Sequence, residues 1–157
     1  MAPPSMPQQI VGYARNKLGQ QVGDGECFAL VDHALRHAGA KSASDFKDLS
    51  DEDYEWGTPI ELAVAAPGDI IQFRDIKLVK KWTTVETLSH GRTKTTTHER
   101  TLTFGHHSAI VLRNDGNGVV TVLQQHVRPK GQIVHSMQLD FNERAQGRIW
   151  VYRPVPK

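Results

Sequence analysis

Apolar residues recur at two different periods along this chain, and the change of period divides it. Over residues 8–18, Ile10, Val11, Ala14 and Leu18 fall three or four apart, the spacing that gathers them on one face of a helix, and Gly19 supplies a stop. A second helical stripe, Val31, Ala34, Leu35 and Ala38, marks a helix over about residues 26–38. Asp24 or Gly25 is placed to cap its start, and Gly39 to end it. Residues 1–7 hold three prolines and are expected to form a loose arm. Residues 41–66 are acidic and hold no sustained period, so they predict loop with a short helical turn.

From Pro67-Gly68-Asp69 onward the period is two. "IIQF" reads as a short buried strand. Residues 78–104, "LVKKWTTVETLSHGRTKTTTHERTLTF", alternate and are rich in threonine, as in a solvent-facing hairpin with its tip at residues 89–92. "HSAIVLRNDGNGVVTVLQQHV" predicts a second hairpin turning at residues 114–117, and "QIVHSMQL" and "RIWVYRP" predict two further strands. Two helices followed by five or six mostly antiparallel strands predict an α+β fold, with the helices packed on one side of a curled sheet. Residues 8–157 read as a single domain, with the polar hairpin at about 78–104 as an insertion.

Composition refines this only a little. Hydrophobic residues make up 38% and charged residues 23% of the 157, as in an ordinary globular domain. No apolar run is long enough for a transmembrane helix, so no membrane partner is expected. The first residues lack a signal-peptide pattern, which predicts a protein cytoplasmic as synthesised, with delivery outside by a non-classical route as the alternative. Residues 1–66 carry a net −5 and residues 67–157 a net +7. The basic half suits an anionic polymer; mutual attraction of the two halves explains it as well. The basic residues are not interleaved with aromatics, so no nucleic-acid partner is expected. A monomer is the expected state.

The candidate chemistry centres on Cys27, the only cysteine, which excludes an intramolecular disulfide. A lone cysteine is most often a small buried hydrophobe. Cys27, however, falls at the first turn of the second predicted helix, where free N–H groups and the helix dipole favour a thiolate. A nucleophile needs a base, and His107 begins an apolar strand on the face it shares with Ala109 and Val111. A turn at 114–117 pairs Leu112 with Val119 and places Gln124 directly opposite His107, where its Oε1 accepts from Nδ1–H and leaves Nε2 for the thiol. A register slip of one residue would bring Gln125 there instead. His126 is a competitor for the orienting role. His106, His107 and His126 do not suit a shared metal, because adjacent strand residues point to opposite faces. Neither a metal nor a cofactor is expected.

"GDGECFALV", "PGDIIQF" and "GHHSAIVLRNDGNGVVTVLQQ", in this order, resemble the CHAP and NlpC-type branch of papain-like cysteine hydrolases. The resemblance spans about residues 8–127 and places Cys27, His107 and Gln124 on the nucleophile, base and orienting positions. Gln124 stands where that branch has a Glu, and His126 where it has an Asn. The resemblance implies a papain-like fold and a cysteine peptidase or amidase without a cofactor. Its expected substrate is a peptide or amide bond, peptidoglycan being the usual one in the branch. Gln21, six residues before Cys27, has the spacing of the papain oxyanion glutamine, with Gln20 and Tyr13 as alternatives. His106 and His126 would line the site, and the 78–104 hairpin would lie beside it as a flap. The alternatives to a peptidoglycan hydrolase are an intracellular amide hydrolase and a papain-like domain kept for binding.

Overall fold

The computed structural model describes residues 3–50, 53–127 and 131–157. Helix α1 spans Met6–Asn16, and Ser5 closes a capping box with Gln8 at its start. The expected arm is therefore shorter than predicted: residues 6 and 7 are already helical, Pro7 being tolerated in the first turn where its missing N–H costs nothing. Residues 1 and 2 lie outside the described residues. Helix α2 spans Cys27–His37, with Glu26 rather than Asp24 or Gly25 at the cap position. Asp24 instead accepts from the Glu26 N–H at 3.0 Å, inside the preceding loop.

Six strands follow among the described residues: β1 (Thr58–Ile60), β2 (Ile70–Thr87), β3 (Thr93–Gly116), β4 (Val119–Gln124), β5 (His135–Asp140) and β6 (Arg144–Arg153). They form one sheet in the order β1-β6-β2-β3-β4-β5, antiparallel at every pairing. The two predicted hairpins share β3, so no break separates them at Gly105. The polar hairpin is the distal half of the β2–β3 ribbon, turned at Ser89–Gly91.

The sheet buries both faces. Ile70, Ile110, Leu123 and Tyr152 pack beneath α1 and α2 with Leu30, Leu35 and Trp56. Ile71, Phe73, Ala109, Val111, Val122 and Val151 build a second cluster on the far face. Asp75 has a positive φ of 51°, and beyond it the facing switches, so Ile76 and Leu78 join Phe73 on the far side. Gly147 makes this bend possible: a Cβ there would lie 2.2 Å from Asp75 O. The predicted turn before β2 is held by Asp69, which is buried, accepts from Ala66 N at 2.8 Å and pairs with Arg153 at 2.9 Å.

Candidate active site

Cys27 is the first residue of α2 and is half-buried. The Gly-rich loop before it has positive φ at Gly23 and Gly25, and a Cβ on Gly25 would come within 2.8 Å of Gln132. Gln125 fixes this loop. Its Oε1 accepts from Val22 N at 2.7 Å, and its Nε2 donates to Val22 O at 3.0 Å and to Glu26 O at 2.8 Å. The nucleophile candidate is thus positioned by three side-chain bonds from the end of the sheet.

The thiol rests on the main chain of β3, on both sides of His107. Sγ lies 3.9 Å from His106 O, and the Ser108 N–H also hydrogen-bonds to it. Val111 N and O bond to residues 69 and 68 on the β2 side. Strand alternation then turns the main-chain groups of residues 106 and 108 toward the β4 side. β4 joins β3 only from Ile110 onward, so Cys27 occupies the edge that β4 leaves open.

His107 is buried on the far face of the sheet, its ring stacked on Phe104 at 5.0 Å and tilted against Phe73 at 5.0 Å. Its Nε2–H donates to Gln124 Oε1 at 2.8 Å. Gln124 Nε2–H in turn donates to His135 Nε2 at 3.3 Å, and His135 Nδ1–H donates to Ile133 O at 3.2 Å. This chain fixes one tautomer for each ring, and both rings are neutral in it. Among the described residues, His107 Nδ1 has no hydrogen-bond partner.

Two details of the expected pairing are corrected. The structure pairs Ile110 with Leu123 and Val111 with Val122, two residues away from the expected register, because the turn is Asn117-Gly118 and irregularities follow Val111 and Asn114. A shift of two preserves the face, so Gln124 reaches His107 diagonally. The bond also uses Nε2, which leaves Nδ1, rather than Nε2, as the available basic atom.

The electrostatics differ from expectation more sharply. Burial pushes the Cys27 thiol above its ordinary value, and Glu26 adds to this; the N–H groups of Ser108, Phe28 and Cys27 itself oppose the rise without cancelling it. The helix start alone therefore does not produce a thiolate. Burial likewise holds His107 down at about 4, against the Gln124 hydrogen bond and assisted by His135 and His126. Among the described residues, no side chain hydrogen-bonds the thiol, and the resting pair is neutral.

The remaining candidates scatter. Gln21 is exposed and donates to Gly23 O at 3.2 Å in its own loop, so it does not serve Cys27 as an oxyanion donor in this structure. Gln20 bonds to Asn16 O, and Tyr13 packs on His37. His106 contacts the Arg74 guanidinium, and His126 Nδ1 pairs with Glu26 at 2.6 Å. His106, His107 and His126 do line one cleft of about 720 Å³, with residues 101–105, Val127, Gly131 and Gln132; Cys27 is not among the lining residues. The base of the ribbon is one wall of this cleft. Among the described residues no group of three His, Cys, Asp or Glu is placed to hold a metal ion. No described helix is long and apolar enough to cross a membrane. The functional residue that sequence reading missed is Gln125 as the clamp of the Cys27 loop; strand alternation was the available signal, since facing Gln124 toward His107 turns its neighbour toward α2.

A helix that opens on a half-buried cysteine and packs on an antiparallel sheet bearing an oriented histidine defines the cysteine-proteinase class of fold. Residues 4–157 match the family model described as the AIM3/BBC1 cysteine proteinase-fold domain, and the chain belongs to that family. No curated protein and no solved structure gave a match.

Proposed function

We propose that this domain is a cysteine-dependent amide hydrolase, with Cys27 as nucleophile, His107 as base and Gln124 as the residue that orients the base. The observation that carries the reading is the contact of the Cys27 thiol with the main chain on both sides of His107, whose ring is held by Gln124 with Nδ1 left over. Because the pair rests neutral, His107 Nδ1 takes the thiol proton as sulfur attacks the carbonyl carbon. The tetrahedral oxyanion draws on main-chain N–H groups at the start of α2. As the C–N bond breaks, His107 returns the proton to the leaving amine, and water then hydrolyses the thioester. The substrate class is a peptide or amide bond, of which peptidoglycan peptides are one source.

A second reading is a binding domain that retains these residues without turnover. The raised thiol and the lowered imidazole favour it, because no ion pair stands ready. An activated acyl ester separates the two. The hydrolase reading expects one acyl group per chain, none in Cys27→Ala, and acylation slower by about 100-fold or more in His107→Gln, the usual contribution of a general base. Equal acylation rates in the wild type and His107→Gln would remove the base and leave the binding domain.

A further inference from the structure

The β2–β3 ribbon runs out past the sheet, since β6 pairs with β2 only as far as Leu78 and β4 meets β3 only from Ile110. Residues 76–104 hold six Lys and Arg against two Glu, a net of +4. One ribbon face bears Lys80, Trp82 and Glu86 with their cross-strand partners Arg100, His98 and Lys94. Trp82 and His98 are stacked at 5.2 Å and 17°, and Trp82 is 41% exposed.

The register contains an anomaly. Glu86 faces Lys94 and Lys81 faces Glu99, as charge pairing requires, yet Lys80 lies directly across from Arg100. Like charges in that position destabilise a ribbon. Among the described residues neither cation forms an ion pair or a side-chain hydrogen bond. Asp140 and Glu143 line a hollow beside them without pairing to either. Lys80, Arg100 and Trp82 instead surround a second hollow of about 400 Å³.

We propose that this face docks an acidic, extended peptide segment of a partner protein, its carboxylates on Lys80 and Arg100 and its apolar side chains on the Trp82–His98 stack. The peptide adds as a strand along the open edge of β2 beyond Leu78, where alternate main-chain groups have no strand partner among the described residues. That edge selects a peptide over a nucleic acid, which offers no matching backbone, and the face has a single aromatic stack rather than a series. The proposal does not depend on turnover at Cys27.

The test is fluorescence anisotropy with a labelled alternating Glu-Val peptide, its Lys-Val counterpart, an N-methylated Glu-Val peptide and a short single-stranded RNA, on the wild type and on Cys27→Ala. Saturable binding of the Glu-Val peptide is expected, equal in both proteins. K80E/R100E should weaken it by more than about tenfold, and Trp82→Ala by a smaller factor, both with an unchanged circular dichroism spectrum. The Lys-Val and N-methylated peptides should bind at least about tenfold more weakly. Binding unaffected by K80E/R100E and Trp82→Ala, equal binding of the N-methylated peptide, or tighter binding of the RNA would overturn the proposal.

Discussion

Acid should destabilise this domain by way of His107, and the size of the effect follows from its burial. The imidazole is held at about 4 in the folded protein against an ordinary 6.5. In the unfolded chain it takes a proton as the pH falls below 6.5; in the folded chain it stays neutral until about 4. Across that window the unfolded state binds more protons, so stability falls with falling pH. The contribution is fully present above the unfolded value and is lost as the pH drops through the folded one. Between about pH 7.5 and 4.5 the loss amounts to about 2.5 kcal/mol, for a domain whose whole stability is of order 5–15 kcal/mol. Asp115, held at about 2 mainly by the Thr121 hydroxyl and then by Arg113, titrates below this window. The comparison is His107→Gln, which keeps a donor for Gln124 Oε1 and does not titrate. Urea unfolding at the two pH values should show the wild type losing about 2.5 kcal/mol more than the variant. Parallel losses in the two proteins would show that His107 is not shielded from solvent protons, and the neutral chain through Gln124 and His135 would be wrong.

Two further changes probe the two glutamines at the end of β4. Gln124→Glu places a carboxylate against His107 Nε2, where a charge pair about 4 Å apart at an effective dielectric of about 20 gains about 4 kcal/mol. His107 should therefore rise by about two units once the cost of burying the new carboxylate is subtracted, read from the pH dependence of its ring proton resonances; an unshifted titration would refute the contact. Gln125→Leu strips the partners from Val22 N, Val22 O and Glu26 O, so stability should fall by about 3 kcal/mol and amide exchange should accelerate over residues 22–27. A loss below about 0.5 kcal/mol would mean the loop holds itself.

Both helices and the sheet were legible because their apolar periods are regular. Ile10, Val11 and Ala14 on α1, and Val31, Ala34 and Leu35 on α2, are the residues that reach the core. β1 was not legible: it has three residues, one of them Pro59, and is recruited by pairing with β6 rather than by any pattern of its own. The faces of β3 were legible above Gly105, but the reversal below it depends on the bend at Asp75 and the close approach of Gly147 from a distant strand. The environment of Cys27 was hidden for the same kind of reason. A helix start announces free N–H groups, whereas the desolvation that outweighs them comes from the packing of α2 on β3, a contact between residues about eighty apart.

The neutral state of the Cys27–His107 pair is a product of particular residues. Moving the proton from thiol to imidazole at rest spans at least the gap between the ordinary thiol value of 9.0 and the His107 value of about 4, because the thiol is itself raised. Five units correspond to about 7 kcal/mol before the attraction of the resulting charges is counted. Most neighbours of the imidazole keep that gap open, and the Gln124 hydrogen bond narrows it only in part. Gln124 supplies orientation without charge, His135 and His126 disfavour a positive charge on the ring, and Phe73 and Phe104 exclude water from the ring faces. Beside the thiol, Glu26 opposes a second negative charge while engaged with His126. If Cys27 is the nucleophile, as proposed, proton transfer must be coupled to bond formation at sulfur, since only the consumption of the thiolate by a carbonyl carbon offsets the cost of making it. That coupling is why the acyl ester, and not the ionisation of the resting thiol, discriminates between a hydrolase and a binding domain.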